Sequence, residues 1–139
     1  MEKAIELIKE FESLRTRAYR CPAGVWTIGW GHTAGVKRGD SITEAEAERL
    51  LRADVADLGR QLRQTGVALS PNREAALLSF AYNVGFDALL RSTLWRKVRT
   101  NPADPTIGEE FGRWKYAGGR VMAGLVRRRA KEAALYFAE

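Results

Sequence analysis

Residues 11–36 have the sequence FESLRTRAYRCPAGVWTIGWGHTAGV, and this stretch decides the fold. Its central part, from Arg17 to Thr33, combines a Pro-Ala-Gly turn with further glycines and with Val, Trp, Thr and Ile, which favour strands. We therefore predict a small hairpin or short sheet here. The rest of the chain offers no other good strand candidate.

An amphipathic helix leads into this stretch. Its apolar residues fall at the i, i+3, i+4, i+7 spacing of one helical face, and they are Ala4, Leu7, Ile8 and Phe11. This pattern predicts a short helix that ends near Glu12. The carboxyl group of Glu12 is then expected at a helix end, beside the hairpin.

Capping signals place two long helices after the hairpin. Thr43 and Glu46 have the spacing of a capping box, which predicts a helix that continues to Gly66 and connects two lobes. Ser70–Pro71 supplies a cap and a first-turn proline for a second helix over residues 71–84. Its run AALLSFAYNV is apolar on nearly every side, so we expect it to form the buried centre of the larger lobe.

Three further helices complete the predicted layout. One begins at Ser92, and another begins at Thr106, where Glu109 forms a second capping box. The last helix covers about residues 121–137. Neither a repeat nor a domain-separating linker interrupts the sequence, so we expect residues 1–139 to form a single domain.

Composition limits the class of protein. The chain of 139 residues has no apolar run of the ~18 residues needed to span a membrane, and its first residues, MEKAIELIKEFE, are acidic and amphipathic. We expect no signal peptide and no membrane anchor. Cys21 is the only cysteine, so packing rather than an intramolecular disulfide must stabilise the fold.

The net charge of +6 favours polyanionic partners such as nucleic acid, anionic lipid or bacterial wall polymer, without choosing among them. Much of the basic excess lies between Arg91 and Lys131. Within it, we expect Arg127–Arg129 on a solvated helix face with one member pointing inward. His32 has no second histidine or cysteine pair with which to form a usual zinc site. We expect neither a metal nor a cofactor, and a structural His32 tethered to a carboxylate.

The stretch 11–36 also carries residues suited to splitting a glycosidic bond. That reaction needs a proton donor at the leaving oxygen and a second group that activates water on the opposite face. Glu12 is followed by Cys21 and Thr27 on the predicted hairpin, which makes this region a candidate cleft edge. A cysteine with an ordinary pKa of about 8.5 is mostly protonated at neutral pH and is a weaker base than a carboxylate.

Residues 11–36 resemble the active-site segment of the phage-type lysozymes, also called endolysins, of glycoside hydrolase family 24. In that family a catalytic Glu is followed by Asp or Cys nine residues later and by Thr fifteen residues after the Glu. These positions are Glu12, Cys21 and Thr27 here. The similarity covers nearly the whole chain, through ITEAEAERLL, SFAYNVG, the Ser92–Leu94 step and WKYAGGRVMAGLVRRRAKE.

The resemblance implies an α+β, mostly α, lysozyme-like fold. A small N-terminal lobe with the short hairpin, a connecting helix and a helical C-terminal lobe would enclose the saccharide. The implied activity is inverting hydrolysis of the peptidoglycan β-1,4 bond between N-acetylmuramic acid and N-acetylglucosamine, which lyses the cell wall. Glu12 would donate the proton, while Cys21 and Thr27 position and activate a water. Asn83 would line the cleft and hydrogen-bond the glycan, and Arg128 would lie near Glu12 and hold its orientation.

Aromatic residues add a further expectation. Trp30 is the tryptophan best placed to stack on a sugar, although aromatic residues at such spacing usually belong to a core. With Asn83 and Arg128 it makes up the expected substrate-side residues. The expected partner is bacterial peptidoglycan, bound by a monomer, with no nucleic acid and no stable membrane insertion.

The resemblance also implies a location: the host cytoplasm, until a separate pore-forming protein releases the enzyme to the wall in the periplasm. Two other functions stay open at this point. One is a non-enzymatic binder of wall glycan or nucleic acid, which the charge supports. The other is a cationic protein that disrupts membranes through its basic C-terminal helix.

Overall fold

Helices dominate the chain over residues 1–138, the part that the computed structural model describes. The elements are α1 (Glu2–Phe11), β1 (Arg15–Arg20), β2 (Trp26–Gly29), α2 (Glu44–Gln64), α3 (Pro71–Val84), α4 (Phe86–Arg91), α5 (Thr93–Thr100), α6 (Ile107–Gly112), β3 (Tyr116–Ala117), β4 (Arg120–Val121) and α7 (Ala123–Tyr136). The expected mostly helical α+β fold is confirmed. None of the helices in this described part is long and apolar enough to cross a bilayer.

The predicted hairpin is the antiparallel pair β1–β2. Tyr19 lies opposite Thr27 and Arg20 opposite Trp26, and the register is irregular between Arg15 and Tyr19. Cys21 directly follows β1, while Thr27 lies within β2. The hairpin therefore brings these two polar side chains to one end of the sheet.

Caps set the start of the two long helices, as the sequence predicts. The Thr43 hydroxyl accepts from the backbone N–H of Glu46 at 3.1 Å, and the Glu46 carboxylate accepts from the backbone N–H of Thr43 at 3.4 Å. Ser70 caps α3. Gly85 ends α3 with a φ of 96°, a conformation that residues with a Cβ rarely adopt.

The core surrounds α3, which contacts α1, α2, α4 and α7. Every residue from Ala75 to Ala81 is buried, including Leu78 and Phe80. The Phe80 ring packs edge-to-face against Phe111 and Trp114, an arrangement that aromatic pairs favour. The apolar run of α3 is therefore the centre of the larger lobe, as predicted.

Three local predictions need correction. Helix α4 and the β3–β4 hairpin lie in segments where the sequence predicted neither a helix nor a strand. The second capping box is absent, because Thr106 has helical backbone angles and its hydroxyl contacts Asp104 and Lys97 instead. The β3–β4 turn consists of Gly118 and Gly119, both at positive φ, which is the chemistry of a tight two-residue turn.

The buried face of α3 predicts a large loss of stability on truncation. Leu78→Ala should lower the free energy of unfolding by about 2 to 5 kcal/mol, because the change removes buried methyl groups and leaves a cavity. Leu90→Ala is the matched control, since Leu90 is 40% exposed, and it should cost under about 1 kcal/mol. Urea unfolding followed by circular dichroism measures both. Equal losses would show that α3 is not the core, and two separate transitions would contradict the expected single domain.

Candidate active site

A cleft passes on both sides of Glu12. One cavity, of about 390 Å³, is lined by Glu12, Tyr19, Cys21, Thr27, Gly31, Thr33, Tyr82, Asn83, Val84 and Gly85. A second, of about 640 Å³, is lined by Glu10, Phe11, Glu12, Asn83, Val84, Trp114, Tyr116, Ala117, Met122, Gly124, Leu125, Arg127 and Arg128. Glu12, Asn83 and Val84 line both cavities and so mark the place where they meet.

The end of α1 delivers Glu12 to this junction. Its backbone N–H still bonds to Ile8 O at 2.8 Å, while its φ of −101° and ψ of 130° turn the chain out of the helix. Gly31 packs against the carboxylate from the other side. A Cβ at this position would lie 2.9 Å from Glu12 Oε1, and Gly31 has a φ of 89°, so only glycine fits without displacement.

A guanidinium group holds the other carboxylate oxygen. Arg128 Nη1 donates to Glu12 Oε2 at 2.9 Å, and the Arg128 side chain is only 2% exposed, whereas that of Glu12 is 26% exposed. The remaining Arg128 donors contact Glu132 and the Ser79 carbonyl oxygen. Arg128 therefore touches Glu12 from inside the protein, while the carboxyl group keeps access to the cleft.

Arg128 belongs to a buried charge cluster on α7. Glu132 accepts from Ser79 Oγ at 2.6 Å and lies between Arg128 and Arg129, at 3.3 and 3.1 Å. Burial raises the pKa of Glu132 and lowers the pKa of Arg129 to about 10, because desolvation disfavours both charged forms. The expectation that only one of Arg127–Arg129 points inward is wrong, since Arg128 and Arg129 are both buried.

The hairpin supplies the other wall of the smaller cavity. Cys21 is half-buried and carries a free thiol. Hydrogen bonding from the backbone of Val25, with smaller contributions from Ala23 and the Thr27 hydroxyl, holds the pKa of the Cys21 thiol below its ordinary value. A larger fraction of Cys21 is therefore thiolate near neutral pH than for a cysteine with an ordinary pKa.

Two polar contacts attach the end of the hairpin to the helices. The Tyr82 hydroxyl donates to Trp30 O at 2.6 Å, and burial raises the pKa of Tyr82, which keeps that hydroxyl protonated. His32 Nδ1 lies 2.7 Å from Asp54 Oδ2 on α2, so the expected tether of His32 to a carboxylate is confirmed. These contacts fix the stretch that carries Gly31 against Glu12.

The structure brings Glu12, Cys21, Thr27 and Asn83 to one cleft. Trp30 is not among the residues that line either cavity, and it packs against the core with Lys9 over its ring. Arg128 lies beside Glu12 as the resemblance implied. It contributes to the lining of the larger cavity, but its side chain is only 2% exposed and its donors contact Glu12, Glu132 and Ser79.

Sequence reasoning missed three residues of this site: Gly31 as a contact of Glu12, and Arg129 and Glu132 as buried ions. A signal was present for the last two, because Glu132 follows Arg128 and Arg129 at i+4 and i+3, where helical side chains meet. Within residues 1–138, no group of three or more His, Cys, Asp or Glu is arranged to hold a metal ion.

Comparison with known proteins agrees with this geometry. Residues 9–132 match the phage lysozyme family model. The endolysin of Acyrthosiphon pisum secondary endosymbiont phage 1 is 40% identical over 97% of this chain and 95% of its own length. The endolysin of Bacillus phage B103 is 39% identical over 97% of this chain, which spans about half (52%) of that protein.

Solved structures show the same fold. The muramidase domain of SpmX from Asticaccaulis excentricus is 32% identical with a TM-score of 0.87, covering 100% of this chain and 97% of that one. The endolysin from Escherichia coli O157:H7 phage FAHEc1 is 32% identical with a TM-score of 0.83, covering 99% and 92% of the two chains. The chain belongs to the phage lysozyme family.

The environment of Cys21 predicts its reactivity. Since the native pKa of the thiol is lowered, alkylation by iodoacetamide should persist to lower pH in the folded protein than in the same chain unfolded in urea. Alkylation rates measured by intact mass across a pH series give the two midpoints, and the folded midpoint should be the lower one. A folded midpoint equal to or above the unfolded one would contradict the hydrogen bonding described here.

Proposed function

We propose that this chain is a muramidase that hydrolyses the peptidoglycan β-1,4 bond between N-acetylmuramic acid and N-acetylglucosamine with inversion, and so lyses bacterial cell walls. One observation carries the proposal: Glu12 stands where two cavities meet, so a glycan strand lying in the cleft passes its carboxyl group. Membership of the phage lysozyme family supports the same reaction.

In the proposed reaction Glu12 protonates the oxygen that leaves the broken bond. The carboxylate formed in that step stays next to Arg128, whose Nη1 is 2.9 Å from Glu12 Oε2. A guanidinium group held in place before the reaction stabilises negative charge as it develops. Arg128 therefore acts through Glu12, as a positioning residue.

A water on the hairpin side completes the proposed reaction. Thr27 and Cys21 line the smaller cavity, where they would hold this water against the anomeric carbon. As the glycosidic C–O bond breaks, the water oxygen forms the new bond to that carbon from the opposite face, and a water proton passes to the thiolate form of Cys21, which becomes a thiol. The lowered pKa of Cys21 supports this role only in part, because a more acidic thiol is also a weaker base.

The alternatives have less support. A non-enzymatic binder would not need Glu12 at the junction of two cavities, and family membership favours the hydrolase over a membrane-disrupting protein. We also propose that a monomer suffices, because Glu12, Cys21, Thr27 and Asn83 of a single chain already meet in one cleft. Release from the host cytoplasm by a separate pore-forming protein belongs to the same proposal, and fractionation of expressing cells tests it.

Product analysis decides the reaction. Mass spectrometry of fragments from purified peptidoglycan should show reducing ends at N-acetylmuramic acid. Anhydro ends would indicate a lytic transglycosylase, freed peptides an amidase, and unchanged glycan a binder without hydrolytic activity. Each of these other outcomes would overturn the proposed reaction.

Glu12→Gln should lower the rate of reducing-end release by at least about 100-fold, because glutamine keeps the shape of the side chain but has no proton to donate. Glu44→Gln is the matched control, since Glu44 is exposed on the first turn of α2, and it should leave the rate unchanged. Thermal unfolding checks that both variants fold. A rate for Glu12→Gln within a few-fold of the parent would rule out Glu12 as the proton donor.

Gly31→Ala tests the packing around the carboxylate. The new Cβ would lie 2.9 Å from Glu12 Oε1, so the carboxyl group must move and the rate should fall on the order of tenfold or more. Gly35→Ala carries a similar backbone strain, at a φ of 70°, but meets no atom within 4 Å. It should lose a comparable amount of stability and keep its rate. Equal rates for the two variants would show that Gly31 does not position Glu12.

A further inference from the structure

Arg129 connects the buried charge cluster to the cleft. Its side chain is 1% exposed, and its guanidinium group lies over the Phe80 ring, with Cζ 4.8 Å from the ring centroid. Its Nε lies 3.1 Å from Glu132 Oε1, while Nη2 reaches Asn83 Oδ1 at 2.6 Å. Asn83 is exposed and lines both cavities of the cleft.

This contact determines which end of the Asn83 amide faces the cleft. A guanidinium group has only N–H donors, so the Asn83 atom that meets Arg129 must be the oxygen. The amide NH2 group is left without a hydrogen-bond partner among residues 1–138. The contact with Arg129 therefore turns the donor end of the Asn83 amide toward a molecule in the cleft.

We propose that Arg129 is a positioning residue that fixes the Asn83 amide as a hydrogen-bond donor toward an acceptor oxygen of the bound glycan. This inference rests on the proposed function, which supplies the glycan. An N-acetylated sugar presents such acceptors as carbonyl and hydroxyl oxygens. Holding the amide in one orientation favours a strand that places an oxygen at this point of the cleft, and disfavours one that places a donor there.

A purely structural role is the competing explanation, because Arg129 also neutralises Glu132. Arg129→Lys separates the two roles. Lysine keeps the positive charge, but its single ammonium group cannot reproduce the planar fork that reaches Glu132 and Asn83 together. A loss of substrate affinity in this variant then reflects the Asn83 contact and not the missing charge.

The test is a double-mutant cycle of Arg129→Lys and Asn83→Ala, with KM and kcat measured from reducing-end release. Asn83→Ala should raise KM about tenfold and change kcat less, since it removes one hydrogen bond to substrate. Arg129→Lys should raise KM about threefold to tenfold in the parent and have no further effect on KM beside Asn83→Ala. Arg60→Lys, on the exposed face of α2, is the matched control and should leave KM unchanged.

Asn83→Asp provides an independent arm. Aspartate still accepts from Arg129 but has no NH2 group, so its KM should rise as in Asn83→Ala despite the stronger ion pair. An unchanged KM in Asn83→Asp, or equal effects of Arg129→Lys with and without Asn83, would overturn the proposal.

Affinity is also measured by co-sedimentation with insoluble peptidoglycan in the Glu12→Gln background, which needs no turnover. Binding without hydrolysis by the parent would refute the proposed function, while the Arg129–Asn83 cycle could still be measured. Hydrolysis with an additive cycle would refute only the positioning role. Absence of both binding and hydrolysis would refute both.

Discussion

A buried cluster of opposite charges is the constraint on which the site depends. Arg128, Arg129 and Glu132 expose at most 2% of their side chains, and Glu12 joins them from α1. Removing such ions from water costs several kcal/mol each, so they persist in an interior only when they are paired. Helix α7 therefore cannot slide against α1 without separating Arg128 from Glu12, or against α3 without breaking the buried hydrogen bonds to Ser79. The place of Glu12 in the cleft follows from this pairing.

The hairpin is held in a different way. Helix α1 packs into the apolar core, so Glu12 belongs to the helical body, whereas Cys21 and Thr27 belong to the hairpin. The two parts are joined at the cleft by the hydroxyl bond from Tyr82 and by the close contact of Gly31 with Glu12. The distance between the proposed acid and the proposed water site thus depends on these contacts, on the His32–Asp54 contact and on the packing of Trp30 against the core.

Local signals predicted the elements better than they predicted the site. Caps and apolar periodicity placed the long helices, and they placed Glu12 at a helix end. The six-residue helix Phe86–Arg91 is too short for periodicity to show, and the Thr106 hydroxyl bonds within its own loop instead of capping. The packing of Trp30 against the core could not be read from the sequence, because composition does not say which face of a ring is covered. The contact of Arg129 with Asn83 joins residues 46 positions apart, so spacing along one helix could not reveal it.

The Glu12–Arg128 ion pair joins residues 116 positions apart. During synthesis Glu12 leaves the ribosome before α7 does. A nascent chain that stops before α7 contains Glu12 and the hairpin but lacks Arg128, whose guanidinium group holds the Glu12 carboxylate. Since contacts between distant residues form only after the intervening chain is available, the site is assembled only once α7 has been synthesised. Chains truncated before α7 therefore lack the assembled cleft.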